Sequence, residues 1–177
     1  EEGNPNTFYF YTANATTGYN FGMEFENAFN ITDDFKMFYN IGYLNTNVDA
    51  YEFKTNDVHT VILGDREQAQ APKYTYSYGL NYKYPFGITL SCEVSGKDDF
   101  YFSDSHDMKS EKYQILNASW RYDCKSFSVT GWSKNILDER YTIRGFYFGL
   151  EPPNYEDKLY IQWGDPVQFG MTLKYQF

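Results

Sequence analysis

The last ten residues of the chain, 168–177, alternate strictly between apolar and polar side chains. Successive side chains of a β-strand point to opposite faces, so this pattern predicts one apolar face and one polar face. A soluble sheet rarely ends on such a strand, because its apolar face and free edge would meet water. A barrel in an outer membrane has this alternation, apolar toward lipid and polar toward the lumen. The segment therefore predicts a membrane-spanning strand.

The same alternation recurs along the chain. The clearest further runs are residues 19–31, 74–84, 88–94 and 116–122, and residues 35–43 and 127–131 follow the pattern less regularly. The runs 35–43, 74–84 and 168–177 have the ~9–11 residues that a tilted strand needs to cross a bilayer, residues 19–31 form a longer run, and the other runs are shorter. The chain is therefore predicted to be all-β, an antiparallel transmembrane β-barrel segment of about seven strands.

Composition favours the same class of protein. Aromatic residues make up 21% of the chain, with 19 Tyr and 16 Phe, yet the mean hydropathy is −0.65. A soluble core prefers Leu, Ile and Val, whereas a membrane barrel places aromatic girdles at both interfaces and polar residues inside. The net charge of −9 disfavours nucleic acid as a partner, since phosphate backbones require clusters of Lys and Arg.

The connections between the runs are alternately short and long. The short ones, 32–34, 85–87 and 123–125, are rich in turn residues, and the long ones are roughly 46–73, 99–112 and 144–167. Outer-membrane barrels have short periplasmic turns and long extracellular loops. Counting back from a periplasmic C-terminus puts all three short turns on the periplasmic side, which supports this topology.

The first segment has two interpretations. Residues 7–31 can form one long strand, which gives seven strands, or two strands divided at residues 16–18, which gives eight. We prefer one strand, because residues 14–18 contain no strong tight-turn dipeptide. An odd count indicates that the chain does not close into a barrel alone, whereas eight strands can close. The abrupt start at Glu1, without Met or signal peptide, suggests processing or a piece of something longer.

Few residues suggest chemistry, and we expect neither an enzyme nor a cofactor. The two histidines, His59 and His106, fall in predicted loops without metal-ligand spacing. Ser, Asp and His in residues 103–107 are interpreted as a polar loop, because adjacency in sequence is not triad geometry.

Cys92 is predicted to lie in a strand and Cys124 in a turn, at different heights, so we expect no disulfide between them. Glu24 and Glu26 lie on the polar side of a predicted strand, so they face water or a partner in the lumen.

Five segments in order resemble the C-terminal part of a TonB-dependent outer-membrane receptor. They are Asn14-Ala15 leading to Gly22-Met23-Glu24-Phe25-Glu26, Ala71-Pro72-Lys73-Tyr74, Lys134-Asn135-Ile136-Leu137-Asp138-Glu139-Arg140-Tyr141, Arg144-Gly145-Phe146, and Gly164-Asp165-Pro166. Together they span nearly the whole chain. The final strand, with Gly170, Leu173, Tyr175 and Phe177, also resembles the barrel-assembly signal of outer-membrane proteins.

The resemblance implies that residues 1–177 are the C-terminal part of a plugged barrel of about 22 strands, without its plug domain. Such receptors take up scarce nutrients such as ferric siderophores or cobalamin across the outer membrane of Gram-negative bacteria. The implied partners are outer-membrane lipid, the remaining barrel strands and plug, TonB through that plug, and the barrel-assembly machinery. The resemblance makes Glu24 and Glu26 candidates for contact with the plug or the ligand path.

Two other hypotheses compete with a receptor segment. A self-contained barrel of eight strands would have a structural or adhesion role, and would pair residues 168–177 with the first segment of the same chain. A soluble barrel of lipocalin type would place its apolar residues inside, which conflicts with the aromatic terminal strand. The pairing of the two outermost strands distinguishes the first alternative from a receptor segment.

Overall fold

The computed structural model describes residues 16–54, 60–149 and 151–177, and these residues form strands, turns and loops. In chain order the strands are β1 (Gly18–Asn30), β2 (Phe35–Val48), β3 (Tyr51–Lys54), β4 (Thr60–Leu63), β5 (Tyr74–Lys83), β6 (Ile88–Lys97), β7 (Tyr113–Cys124), β8 (Phe127–Lys134), β9 (Thr142–Phe148), β10 (Lys158–Trp163) and β11 (Gln168–Tyr175). No helix in the described residues is long and apolar enough to span a membrane.

Seven of these strands form one antiparallel sheet, in the order β1-β2-β5-β6-β7-β8-β11. We call this sheet the wall. Each wall strand pairs with the next wall strand along the chain, so the sheet is an up-and-down meander. The other four strands form two hairpins, β3–β4 and β9–β10, within long connections. The prediction of an all-β antiparallel segment with about seven strands is confirmed.

Short turns lie at one end of the wall, which we call the turn end, and long connections lie at the other, the loop end. Thr32 Oγ1 accepts a hydrogen bond from the Phe35 amide at 3.0 Å and closes the first turn. Gly87, with a φ of 88°, completes the second, since this left-handed conformation carries no steric cost for glycine. The third consists of Lys125 and Ser126, because Cys124 pairs with Phe127 as the last residue of β7. The prediction that Cys124 lies in the turn is therefore wrong by one residue.

The long connections are more structured than the sequence indicated. Residues 49–73 contain the β3–β4 hairpin, and residues 135–167 contain the β9–β10 hairpin. Both cysteines are free, and the register places Cys92 opposite Ala118, some way along β7 from Cys124. Within the described chain the two cysteines therefore lie at different heights on the wall, as predicted.

The register of the wall carries one apolar face through all seven strands. Directly paired residues of antiparallel strands share a face. Phe25 pairs with Ile41, which in turn pairs with Tyr76. Likewise, Leu80 pairs with Cys92, which in turn pairs with Ala118. On this outer face lie Phe21, Met23, Phe25, Phe29, Met37, Tyr39, Ile41, Tyr78, Leu80, Tyr82, Leu90, Val94, Leu116, Trp120, Phe169, Met171 and Leu173. Most of these large side chains are exposed, which fits a surface whose solvent is lipid.

Both edges of the wall are open in the described residues. There β1 pairs only with β2, and β11 pairs only with β8. β1 begins at Gly18, and Thr16 and Thr17 precede it without strand structure, so the predicted single strand does not run through them. The remainder of the predicted first strand, residues 7–15, lies outside the described ranges. The described wall is therefore an open sheet, as expected for part of a larger barrel.

Candidate functional site: the inner face and the loop cluster

The inner face of the wall is polar. It carries Asn20, Glu24, Glu26, Lys36, Asn40, Thr75, Ser77, Asn81, Lys83, Thr89, Ser91, Glu93, Ser95, Asn117, Ser119, Arg121, Ser128, Thr130, Lys134, Thr172 and Lys174. Hydrogen bonds link neighbouring strands on this face, for example from Asn40 Nδ2 to Ser77 Oγ at 3.1 Å and from Ser91 Oγ to Asn81 Oδ1 at 2.5 Å. The polar alternation seen in the sequence thus corresponds to a polar inner surface, as in membrane barrels.

Glu24 and Glu26 lie together on this face, in the middle of β1. The register places Glu24 opposite Gly42 and Glu26 opposite Asn40. Both side chains are exposed, and both border a shallow depression of about 290 Å³ that reaches across to Ser77. Neither carboxylate is in an ion pair with another described residue. The structure therefore groups the two predicted residues and leaves their oxygens available to a partner.

Large aromatic rings on the inner face lie over glycines of the adjacent strand. Phe38 covers Gly79, and Trp132 covers Gly170. A side chain at either glycine would collide with the ring, so glycine is required by close packing there. Gly170, which we assigned to the assembly signal, therefore also has a packing role inside the wall.

The other residues of that predicted signal lie on or beyond β11. Leu173 and Tyr175 are exposed on the outer face, where they pair with Val129 and Phe127. Phe177 follows the strand and packs against Tyr175, with ring centroids 5.0 Å apart in an edge arrangement. These positions present an outward aromatic and aliphatic row at the turn end, and their role in assembly stays a prediction.

At the loop end, segments from three long connections pack into a compact unit. We call residues 64–73, residues 98–112 and the β9–β10 hairpin the loop cluster. Phe100 and Phe102 are its apolar centre, 2% and 5% exposed, and their rings meet edge to face at 5.9 Å. Gly145 of β9 lies directly against the Phe102 ring, where a side chain would not fit. The hairpin is thereby seated on the middle connection.

Charged side chains join the first two segments of the loop cluster. Arg66 donates to Asp107 at 2.8 Å and to the Ser103 carbonyl at 2.9 Å. Lys109 donates to Glu67 at 3.1 Å and to Asp99 at 3.0 Å. Burial alone would lower the pKa of Lys109, but the hydrogen bonds and attraction of the two carboxylates outweigh it and raise that pKa.

Both cations of this network contact the ring of Tyr101. Arg66 lies 4.4 Å and Lys109 lies 4.3 Å from the centroid of Tyr101. Each contact is a cation–π interaction, which is stronger when the cation is partly removed from water. The first two segments are therefore joined by two sets of ion pairs whose cations both contact Tyr101, an arrangement that sequence analysis did not predict.

Within the loop cluster, His106 connects residues 98–112 to the β9–β10 hairpin, and it does not form a catalytic triad. Its ring stacks on Tyr147 at 3.6 Å, and its Nδ1 lies 2.8 Å from Ser103 Oγ. Its Nε2 is 3.9 Å from Asp157, too far for the orienting hydrogen bond of a triad. The interpretation of residues 103–107 as a polar loop fits this geometry.

The other histidine, His59, lies outside the described ranges. No group of three His, Cys, Asp or Glu is arranged to hold a metal among the described residues.

Asn135 closes the connection between β8 and β11. It is 2% exposed, with a φ of 48°, in the left-handed region that Asn tolerates better than most residues. Its Nδ2 donates to the carbonyls of Glu139 and Asp165 at 2.9 and 3.0 Å. Asp138 Oδ1 accepts from the Val167 amide at 2.9 Å. The Asn135–Tyr141 segment singled out in the sequence is thus a structural clasp that fixes where β11 begins.

Solved structures supply the comparison that identifies the fold, since no protein-family model matches the chain. The siderophore receptor PiuA from Acinetobacter baumannii matches 89% of this chain, with a TM-score of 0.71 and 15% identity. The ferric yersiniabactin uptake receptor FyuA from Yersinia pestis matches 93%, with a TM-score of 0.74 and 16% identity. The ferric citrate transporter FecA matches 90%, with a TM-score of 0.67 and 17% identity.

The chain has the fold of part of an outer-membrane receptor barrel. It spans only 22–24% of the lengths of these three proteins, as expected for a segment of a larger wall. The resemblance to TonB-dependent receptors seen in the sequence is therefore confirmed at the level of the fold. The three neighbours are described as two receptors and a transporter.

Proposed function

We propose that residues 1–177 form the C-terminal part of the wall of a TonB-dependent outer-membrane receptor, whose plug and other strands lie outside this segment. The complete receptor takes up a scarce nutrient such as a ferric siderophore or cobalamin. The observation that carries this proposal is the register, which keeps one apolar face across seven strands and leaves both edges ready to pair. A barrel wall of about 22 strands needs both features.

In this proposal Glu24 and Glu26 contact the plug or the ligand path. Carboxylates on an enclosed inner surface require water or a cationic partner. Their exposed oxygens and the adjacent depression of about 290 Å³ support such a contact. TonB acts through the plug and not through this segment. The partners of the outer face are lipids of a Gram-negative outer membrane.

The proposal is tested by uptake in cells of the source organism. The gene region that encodes this chain is deleted and restored, and uptake of radiolabelled ferric siderophores and cobalamin is measured with and without a protonophore. We expect one ligand to lose energy-dependent uptake on deletion and to regain it on restoration. Unchanged uptake of every ligand, with the chain absent from outer-membrane fractions of restored cells, would overturn the proposal.

The predicted assembly signal is tested separately. Replacing Phe177 with Ser removes the terminal ring that packs on Tyr175, and we expect less of the chain to reach the outer membrane. The matched control is Phe86→Ser, which removes an exposed ring in a turn at the turn end and should leave insertion unchanged. Normal insertion of the Phe177→Ser variant would remove the assembly role from this residue.

A further inference from the structure

The outer face of the wall is recessed where β6, β7 and β8 lie side by side. A depression of about 880 Å³ opens there, and we call it the trough. Its floor is a row of small residues that the register pairs directly, Cys92, Ala118 and Ser133. Larger exposed side chains of the surrounding outer-face positions form its rim, and these are Leu80, Leu90, Trp120, Phe169 and Met171.

The surface of the trough is apolar. None of the described residues that line it is charged. Ser133 Oγ donates to the Gln168 carbonyl at 3.2 Å, so this hydroxyl is engaged within the wall. Cys92 is a free thiol, and such a side chain behaves as a small hydrophobic group. The trough therefore suits hydrocarbon rather than a polar ligand.

The trough lies in the middle of the membrane-spanning part of the wall. On the outer face, Leu80 is four residues from Tyr76 toward the loop end and four residues from Tyr84 toward the turn end. Four residues of a tilted strand cover about 10 Å along the membrane normal. Lipid headgroups do not reach this depth, because the hydrocarbon core of a bilayer is about 30 Å thick.

The size of the trough selects its occupant. From Leu80 on β5 to Phe169 on β11 there are four strand spacings, about 19 Å, and the trough covers two outer-face rows, about 7 Å along the strands. The product is about 130 Å², far below the ~800 Å² that each partner contributes to a stable protein interface. A second protein cannot be held by the trough alone, whereas a single hydrocarbon chain fits it.

Trp120 lies on the side of the trough that faces the turn end. Its Nε1 lies over Gly131, so close that a side chain at this glycine would collide with the indole. The indole is 43% exposed, and among the described residues its N–H donates to no acceptor. Tyr122, two residues nearer the turn, belongs to the aromatic residues of the turn end, so Trp120 lies about 5 Å deeper in the membrane. A lipid ester carbonyl is an acceptor available at this level.

We propose that the trough binds one acyl chain of a phospholipid from the leaflet at the turn end, and that Trp120 Nε1 donates a hydrogen bond to the ester carbonyl of this chain. The inference rests on the proposed function, in which the wall spans an outer membrane and its turn end faces the periplasm. The chain begins at the ester, beside Trp120, and continues toward the middle of the membrane over Ala118. It thereby restores the dispersion contacts that the small residues of the floor would otherwise lack.

Native mass spectrometry of the complete receptor tests the inference. The receptor is reconstituted with equal amounts of ester-linked and ether-linked phosphatidylethanolamine of the same chain length, extracted in mild detergent, and its retained lipids are counted. The ether lipid has the same hydrocarbon but no carbonyl. We expect at least about threefold more ester than ether lipid to be retained, as for one neutral hydrogen bond. Equal retention of the two lipids would overturn the inference, and this comparison requires no substitution.

Three variants locate the lipid on the wall. Trp120→Phe keeps a ring at the rim but removes the donor, so the preference for ester lipid should disappear. Ala118→Leu fills the floor, and we expect one fewer phospholipid per receptor. Val129→Leu adds bulk on the outer face outside the trough and is the matched control, which should retain lipid as the wild type does. An Ala118→Leu receptor with the wild-type lipid count would contradict binding in the trough.

Other occupants and the failure of the proposed function give different results. Lipopolysaccharide retained in place of phospholipid, in receptor purified from outer membranes, would put the occupant in the opposite leaflet and overturn the inference. A receptor dimer that Ala118→Leu dissociates would assign the trough to a second copy, with the same consequence. If the chain forms no receptor wall, nutrient uptake will not depend on it. If only the lipid inference fails, uptake will persist and the variants will retain lipid as the wild type does.

Discussion

The wall and the loop cluster differ in how far they bury their large apolar side chains. Large apolar side chains of the wall are exposed, with Leu80 at 40% and Met171 at 73%, whereas Phe100 and Phe102 in the loop cluster are 2% and 5% exposed. The wall therefore has no apolar core of its own, and its stability depends on lipid outside and on backbone hydrogen bonds between strands. The loop cluster has a small core and a network of charges, like a soluble domain.

This difference indicates that the two regions respond separately to substitution. The wall should be sensitive to the polarity of its outer face and tolerant of polar changes inside. The loop cluster should be sensitive to loss of buried volume and of its hydrogen bonds. Substitutions that affect one region alone would support this division, and substitutions that affect both regions equally would break it.

The largest effect is expected from Phe100→Ala in the loop cluster. Removing a fully buried ring costs about 3–5 kcal/mol of local stability. We expect hydrogen exchange and protease cleavage to increase in residues 64–73 and 98–112, while the wall strands remain protected. Phe148→Ala, which removes a ring that is 43% exposed on the hairpin, is the control and should change little. Loss of protection in the wall strands would show that the two regions unfold together.

A charge on the outer face is expected to affect the wall instead. Tyr78 lies in the middle of β5, opposite Tyr39 and Val94, and an arginine at the bilayer midplane costs about 2–4 kcal/mol. We expect Tyr78→Arg to lower the denaturant concentration at which the folded barrel in lipid vesicles melts. Ser77→Arg, at the adjacent inner position, is the matched control. If the Ser77 variant is the less stable of the two, the assignment of the faces is inverted.

Sequence alone was sufficient for the wall, because its signal is a period of two repeated in every strand. A one-residue slip would exchange the two faces, so the alternation of β11 or β5 specifies both the strand and its orientation. Glu24 and Glu26 were found in the same way, as carboxylates at inner positions.

The loop cluster could not be predicted by periodicity. Gly145 is distant in sequence from Phe100 and Phe102, and its contact with the Phe102 ring depends on how two separate connections pack. Short hairpins such as β9–β10 carry weak alternation, and residues 144–167 were read as one long loop. Ion pairs between connections leave no signal in a single sequence. Lys109, for example, pairs with Glu67 of a different connection.

A substitution at Asn135 tests how the wall and the loop cluster are connected, because this residue links the end of β8 to the start of β11. Asn135→Ala removes two donated hydrogen bonds and one that Oδ1 accepts from the Glu139 amide, at a cost of about 1–3 kcal/mol for each group left without a partner. We expect faster hydrogen exchange in residues 135–140 and at the first residues of β11, with β1 and β2 unaffected. Asn154→Ala, at an exposed hairpin position, is the control. An unchanged exchange pattern would mean that the clasp does not hold β11.

The smallest effect is expected from pH, and only in the loop cluster. Hydrogen bonds from Lys158 and Tyr160, with the charge of Lys158, lower the pKa of Glu151. A carboxyl with a lowered folded pKa stabilises the fold above its unfolded pKa of about 4.3, and that contribution is lost as pH falls through the folded value. We therefore expect hydrogen exchange in residues 151–160 to increase below about pH 4. The wall strands are the internal reference, because the backbone hydrogen bonds between them contain no group that ionises in this range. The Glu151→Gln variant should abolish this dependence, because its amide does not titrate. If exchange in the variant still rises on acidification, another group controls the hairpin.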